Sequence, residues 1–196
     1  SISQISVPIS KQLPELKVPI GKPPLAPSLI AGMRILVVDD EKSIRRLCER
    51  MLQKLGCTCV LLEDGDQVLN TLLQSGYQPL DYQPPDDDDI TPPAFQPFHL
   101  ILMDIMMARS NGVDVAVDVA SRFVGGVKAN AIPMPRLLPQ MVAMTANTSL
   151  VDLGNYKRAG FANVLGKPFD VGSLKAMVTQ FAPTPQAASK NPALAP

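Results

Sequence analysis

The sequence has little of what nucleic-acid binding and zinc coordination require. Its 196 residues carry 18 basic and 18 acidic side chains, so the formal net charge is zero and no overall field draws the chain to nucleic acid. One histidine and three cysteines, Cys48, Cys57 and Cys59, lack paired metal-ligand spacing. We therefore expect no nucleic-acid partner and no zinc site, and we interpret the cysteines as reduced thiols.

A long hydrophobic run is also missing. No uncharged apolar stretch approaches the roughly 18 residues that span a bilayer. Pro8, Pro14 and Pro19 interrupt the first segment, which does not suit a signal peptide. We expect a soluble, cytoplasmic segment that makes no membrane contact itself, although its parent protein could be anchored in a membrane.

Prolines, in contrast, are abundant, and their clusters divide the chain. Because proline cannot donate to a helix or sheet ladder, the clusters among the 20 prolines predict tails and loops. The expected organisation is a Pro-rich linker at 1–32, one domain at 33–182 and a Pro- and Ala-rich tail at 183–196, with insertions within the domain at about 75–97 and 125–139. The start at Ser1 rather than Met suggests a piece of a longer polypeptide.

Between the proline clusters, short apolar runs alternate with segments of helical periodicity. The predicted strands are 33–38, 57–62, 100–103, 141–144 and 163–165, and the predicted helices are 44–55, 67–74, 113–123, 150–159 and 171–181. The apolar positions expected to face the core include Leu47, Leu73, Val117 and Val171. Five strand-then-helix units predict an α/β fold, a doubly wound parallel sheet with helices on both faces.

Polar residues end several of these strands. Asp39 and Asp40 follow the first strand, Asp104 the third, Thr145 the fourth and Lys167 the fifth. Adjacent parallel strands bring their carboxyl ends within roughly 5 Å of one another, so these groups should converge. Crowded carboxylates repel unless a cation neutralises them, and Mg²⁺ suits oxygen ligands and phosphate. The set indicates phosphoryl transfer to a carboxylate.

Four segments in this order resemble the receiver domain of two-component response regulators and hybrid histidine kinases. They are 35–41 (ILVVDDE), 100–107 (LILMDIMM) ahead of Asn111-Gly112, 143–147 (AMTAN) and 166–169 (GKPF). The resemblance implies a flavodoxin-like sheet with strand order 2-1-3-4-5.

The resemblance also implies a role for each residue. Asp104 would be the phosphoacceptor, Thr145 the hydroxyl switch, and Lys167, joined to Pro168 by a cis peptide, the ammonium that contacts the phosphoryl group. Asp40, Asp104 and the Met106 carbonyl would bind Mg²⁺ directly, and Asp39 would act through water. The implied partner is a histidine kinase or a histidine phosphotransfer domain. Such a domain catalyses its own phosphorylation and dephosphorylation and is not expected to be a stand-alone enzyme.

The sequence departs from the family pattern at two single residues. Val164 stands where an aromatic switch residue is common, and Ala108 replaces a common proline after the acceptor, which leaves the following loop less constrained. The switch would then depend on the Thr145 hydroxyl.

Other interpretations stay open. A haloacid-dehalogenase-like phosphohydrolase also forms an aspartyl phosphate, but it needs two aspartates two positions apart, whereas Asp39 adjoins Asp40 and position 106 is Met. A receiver-like binding scaffold that takes no phosphate is the third candidate. We interpret the acidic run 86–89 as a solvated loop and His99 as a half-exposed residue at a strand entrance.

Overall fold

The structure is a computed structural model that describes residues 29–82, 94–123 and 138–183. Its strands are β1 (Arg34–Val38), β2 (Thr58–Leu62), β3 (Leu100–Asp104), β4 (Gln140–Thr145) and β5 (Phe161–Gly166). Its helices are α1 (Lys42–Lys54), α2 (Val68–Gln74), α3 (Gly112–Phe123), α4 (Leu150–Arg158) and α5 (Val171–Thr179), and a 3₁₀ turn, Gly65–Gln67, leads into α2.

The five strands form one parallel sheet in the order β2-β1-β3-β4-β5. Both the α/β class and the 2-1-3-4-5 order are therefore confirmed. The predicted elements are found with shifts of a few residues at their ends, and the largest difference is β5, which is longer than the predicted 163–165.

Alternate residues of the central strands supply two cores, one on each face of the sheet. Leu36 and Val38 of β1 pack with residues of α2, α3 and α4, whereas Ile35 and Val37 pack with residues of α1 and α5. β1 and β3 are buried almost throughout because helices cover both of their faces. This double covering leaves the ends of the strands as the places where polar side chains can meet solvent.

Several helix positions expected in the core lie on the surface. Leu47, Leu73, Val117 and Val171 are exposed by 38%, 40%, 50% and 45%, so these predictions were wrong. In α1 the buried face is formed by Arg45, Cys48 and Leu52, which follow the helical spacing of three and four residues. Arg45 lies on this face although it is charged, because its guanidinium is paired with the Asp39 carbonyl and with Glu63.

Helix ends follow local chemistry. The carboxylate of Asp170 accepts a hydrogen bond from the Ser173 N–H at 2.7 Å and so caps the start of α5. Ser149 caps α4 in the same way. Gly56 has φ +82°, the left-handed conformation that ends α1 and turns the chain towards β2.

The segments outside the periodic blocks are partly described. Ile30 is 1% exposed and packs in the core beside α1, although it lies within the expected linker at 1–32. At the first insertion, the Gln96 N–H donates to the Ser75 carbonyl at 3.0 Å and joins the two ends of the loop at the amino edge of the sheet. Residues 1–28, 83–93 (with the acidic run 86–89), 124–137 and 184–196 lie outside the described residues.

Among the described residues, none of the helices combines the length and hydrophobicity needed to cross a bilayer.

The three cysteines are free, and Cys48 and Cys57 are buried as core residues. His99 is half-buried at the entrance of β3, as predicted, and its Nδ1 accepts a hydrogen bond from the Arg34 N–H at 3.0 Å.

Candidate phosphoacceptor site

Three carboxylates meet at the carboxyl edge of the sheet. Oxygen atoms of Asp39, Asp40 and Asp104 lie within 4.8 Å of one another. Asp39 and Asp104 are buried, and Asp40 is exposed. β1 and β3 are neighbours with Val38 opposite Met103, so the residues that follow these two positions are placed side by side. The predicted convergence of the acidic residues is thus found.

Lys167 reaches this cluster from the end of β5. Its ammonium nitrogen lies 2.7 Å from Oδ2 of Asp39 and 3.0 Å from Oδ2 of Asp104. The peptide bond between Lys167 and Pro168 is cis, as predicted. The Lys167 N–H also donates to the Thr145 carbonyl at 2.7 Å. One cation therefore bridges two buried carboxylates that belong to different strands.

The charges of the site influence one another. Burial raises the pKa of Asp39 above its ordinary value, although hydrogen bonding to Lys167 and to the Glu41 N–H works in the opposite direction. Burial also opposes the charge of Lys167, but its bonds to Asp39 and Asp104 outweigh burial and raise the pKa of the lysine. Lys167 is accordingly protonated at neutral pH, whereas burial makes ionisation of Asp39 less favourable than in water.

Thr145 ends β4 beside the acidic cluster. It is 3% exposed, and its hydroxyl oxygen accepts a hydrogen bond from the Asn147 N–H at 3.0 Å. A cleft of about 550 Å³ opens next to it between α3 and α4, and Met106 and Asn147 also line this cleft. The hydroxyl is therefore tied to the first turn of the loop that leads into α4.

Met106 stands apart from the other predicted residues. Its side chain is 74% exposed, and it pairs with Asn111 in an isolated antiparallel bridge. At the end of the same loop, a Cβ at Gly112 would lie 2.3 Å from the main-chain oxygen of Asp104. Only glycine fits there, so Asn111-Gly112 closes the loop tightly against the end of β3.

The donor set suits a hard divalent cation. Carboxylate oxygens are the ligands that Mg²⁺ prefers, and one exposed carboxylate beside two buried ones leaves the cluster open to solvent on one side. Lys167 supplies one positive charge to three carboxylates, which leaves an uncompensated negative charge for a cation to neutralise.

Two buried polar residues of this region were not predicted. The Arg45 guanidinium donates to the main-chain oxygen of Asp39 at 2.6 Å and pairs with Glu63 at 3.0 Å. Asp64 is 1% exposed and accepts hydrogen bonds from the loop after Asp104. A sequence signal existed for Asp64, because it follows β2 at the same edge of the sheet.

Sequence comparisons find known proteins that match most of this chain. No family model matches the chain. It is 27% identical to the transcription factor SKN7 of Saccharomyces cerevisiae over 88% of this chain and 23% of that protein. It is 26% identical to protein PilG of Pseudomonas aeruginosa, over 78% of this chain and 92% of PilG. With the aerobic respiration control sensor protein ArcB of Escherichia coli it shares 27% identity, over 78% of this chain and 15% of ArcB.

Solved structures show the same fold. The chemotaxis protein CheY4 of Vibrio cholerae superposes with a TM-score of 0.56 at 20% identity, covering 77% of this chain and 99% of CheY4. The receiver domain of the sensor histidine kinase PA1611 of Pseudomonas aeruginosa, solved with a magnesium ion in its active site cleft, gives 0.54 at 24% identity, covering 78% of this chain and 98% of that one.

The resemblance to the receiver domains of two-component response regulators is confirmed by these likenesses. The described core is a CheY-like receiver fold. The chain spans 23% of SKN7 and 15% of ArcB, so those relatives are several times longer than this chain.

Proposed function

We propose that this domain accepts a phosphoryl group from a phosphohistidine onto Asp104, in a reaction that depends on Mg²⁺. The observation that carries the proposal is the position of the Lys167 ammonium, 3.0 Å from Asp104 and 2.7 Å from Asp39, within a cluster of three carboxylates. A nucleophilic carboxylate beside a fixed cation is the arrangement that phosphoryl transfer needs.

In the proposed step, a carboxylate oxygen of Asp104 attacks phosphorus in line with the bond to the donor imidazole. The P–O bond forms as the P–N bond breaks, and the electron pair returns to the imidazole nitrogen. Lys167 stabilises the charge on the phosphoryl oxygens. The Thr145 hydroxyl, which accepts a hydrogen bond from the Asn147 N–H, donates its own O–H to a phosphoryl oxygen.

Mg²⁺ would be held by Asp40, Asp104 and the Met106 carbonyl, with Asp39 acting through water. When bound, it would supply positive charge against the phosphoryl oxygens. The crowding of the carboxylates and the raised pKa of Asp39, which is due to burial, both support a cation at this place. The structure of the PA1611 receiver domain, which holds magnesium in its cleft, supports it by likeness.

The donor would be a histidine kinase or a histidine phosphotransfer domain, and the parent protein a hybrid histidine kinase or another multidomain phosphorelay protein. Support comes from SKN7 and ArcB, which match this chain over only a small part of their length. We propose one receiver domain at 33–182, with Ile30 of the preceding segment packed in its core. We also propose a cytoplasmic location, which the three free thiols fit. The domain would catalyse its own phosphorylation and dephosphorylation rather than act as a stand-alone enzyme.

Incubation of the full chain with Mg²⁺ and acetyl phosphate tests the proposal, with intact-mass spectrometry as the readout. We expect one added phosphoryl group, lost on replacement of Asp104 by asparagine and kept in Asp118→Asn, a surface carboxylate of α3. Rapid release of inorganic phosphate without an adduct would instead indicate a phosphohydrolase. No adduct and no release would indicate a binding scaffold.

A further inference from the structure

Asp64 is a buried carboxylate whose hydrogen-bond donors come from the other side of the site. It follows β2, and its oxygen atoms accept the Arg109 N–H at 3.0 Å and the Ser110 hydroxyl. The Arg109 Nε lies 3.6 Å from the same carboxylate. Both donor residues belong to residues 105–111, which we call the acceptor loop because it begins directly after Asp104.

The main chain beside Asp64 leaves the acceptor loop no room to move closer. The Gly65 N–H donates to the Ser110 hydroxyl oxygen at 3.0 Å. A Cβ at Gly65 would lie 2.6 Å from that oxygen and 2.5 Å from Cγ2 of Val115. Ser110 is therefore held from two sides, since its hydroxyl donates to Asp64 and accepts from Gly65.

The acceptor loop is also restrained elsewhere, because the main chain of Met106 pairs with that of Asn111 in an isolated antiparallel bridge. The Met106 side chain is 74% exposed, so its packing cannot fix the Met106 carbonyl. Ala108 lacks the ring that would fix the backbone at that position. At its base the loop is closed by the Gly112 N–H, which donates to the Ile105 carbonyl at 2.9 Å. The middle of the loop is held at Arg109 and Ser110 by Asp64.

We propose that Asp64 is a positioning residue for the metal site: through Ser110 and the main chain of Arg109 it holds the acceptor loop, and with it the Met106 carbonyl, in place beside Asp104. This inference rests on the proposed function, because the Met106 carbonyl matters only if Mg²⁺ binds among the carboxylates. Groups that orient metal ligands without touching the metal contribute about 10- to 100-fold to its affinity.

Calorimetric titration of the full chain with MgCl₂ tests this role. Asp64→Ala and Ser110→Ala should each weaken Mg²⁺ binding about 10-fold. The matched control is Asp66→Ala, which removes an exposed carboxylate two residues after Asp64. The Asp66 carboxylate lies 3.5 Å from the Arg109 guanidinium, and both side chains are exposed. Ser110→Thr keeps the hydroxyl and should restore binding. Circular dichroism verifies that each variant is folded, and Ser110→Ala carries the test if Asp64→Ala does not fold.

The outcomes separate the two proposals. Wild-type chain that binds Mg²⁺, with Ser110→Ala binding it equally tightly, would overturn the positioning role and leave the proposed function intact. A lower melting temperature with an unchanged Kd for Mg²⁺ would have the same meaning, since it shows a purely structural role. Wild-type chain that binds no Mg²⁺ would overturn both.

Discussion

The ammonium nitrogen of Lys167 lies 3.0 Å from a carboxylate oxygen of Asp104. Asp104 ends β3 and Lys167 follows β5, and β4 lies between these two strands. The main chain of Lys167 is hydrogen-bonded to β4, because its N–H donates to the Thr145 carbonyl at 2.7 Å. The peptide bond from Lys167 to Pro168 is cis. A single cation thus contacts the predicted nucleophile before any phosphoryl group arrives.

Replacing Lys167 by methionine keeps most of the apolar stem and removes the charge. We expect phosphorylation by acetyl phosphate to slow by about 100-fold, because fixed positive groups at developing charge have effects of that order. The rate is measured by quenched mass spectrometry. Lys175→Met on the exposed side of α5 is the control, and an equal rate in Lys167→Met would contradict the role of the ammonium.

Arg45 is expected to stabilise the end of β1. Its guanidinium is buried and donates to the Asp39 carbonyl at 2.6 Å, so Arg45→Met leaves a buried acceptor without its partner. We expect the free energy of unfolding to fall by about 1–3 kcal/mol in urea titrations. Arg46→Met, at the adjacent exposed position, should change it by less than about 0.5 kcal/mol. Equal effects of the two substitutions would refute this account of Arg45.

Two glycines should respond to alanine in opposite ways. Gly112→Ala places a Cβ 2.3 Å from the Asp104 main-chain oxygen, so the loop must distort, with loss of stability and of phosphorylation. Gly154→Ala in α4 meets only the Arg158 Nη1, at 3.8 Å, and should stabilise the domain by about 0.5–1 kcal/mol. Thermal unfolding of both variants checks the pair, and a stable, phosphorylatable Gly112→Ala would contradict the tight loop.

The stability contributed by Asp64 should depend on pH. Burial opposes its ionisation, but hydrogen bonds from Ser110 and Arg109 outweigh burial and hold the pKa of Asp64 below its ordinary value. A lowered carboxyl pKa adds stability above the unfolded-state value of about 3.9, and that stability is lost as the pH falls through the folded-state value. Asp64→Asn should therefore be less stable than wild type at neutral pH.

The difference between Asp64→Asn and wild type should shrink once the pH falls below about 4. Urea unfolding of both proteins at a series of pH values measures it. A difference that stays constant from neutral to acidic pH would show that the charge of Asp64 contributes nothing.

The sequence predicts the sheet and most of the site for one physical reason. Parallel strands align their carboxyl ends, so Asp39, Asp104 and Lys167 could be placed together without knowing any distance. Helix faces were less predictable. Leu47 and Val117 are apolar, but helix orientation against the sheet is decided by the whole buried face, and in α1 Arg45 occupies that face.

Asp64 shows a different limit. A carboxylate after β2 carries no sign of whether it will be solvated or buried, because its partners, Arg109 and Ser110, lie in a loop after β3. The pairing depends on how two loops approach each other, which strand periodicity does not encode. Its position at the site edge of the sheet was nevertheless readable from the sequence.

Chemical localisation of the phosphoryl group tests the central claim most directly. After incubation with acetyl phosphate, borohydride reduces an aspartyl phosphate to homoserine, and peptide sequencing by tandem mass spectrometry identifies the modified residue. We predict homoserine at position 104 when Mg²⁺ is present and none when it is chelated. Homoserine at another aspartate, or an Asp104 that stays unmodified while wild-type chain binds Mg²⁺, would contradict the account.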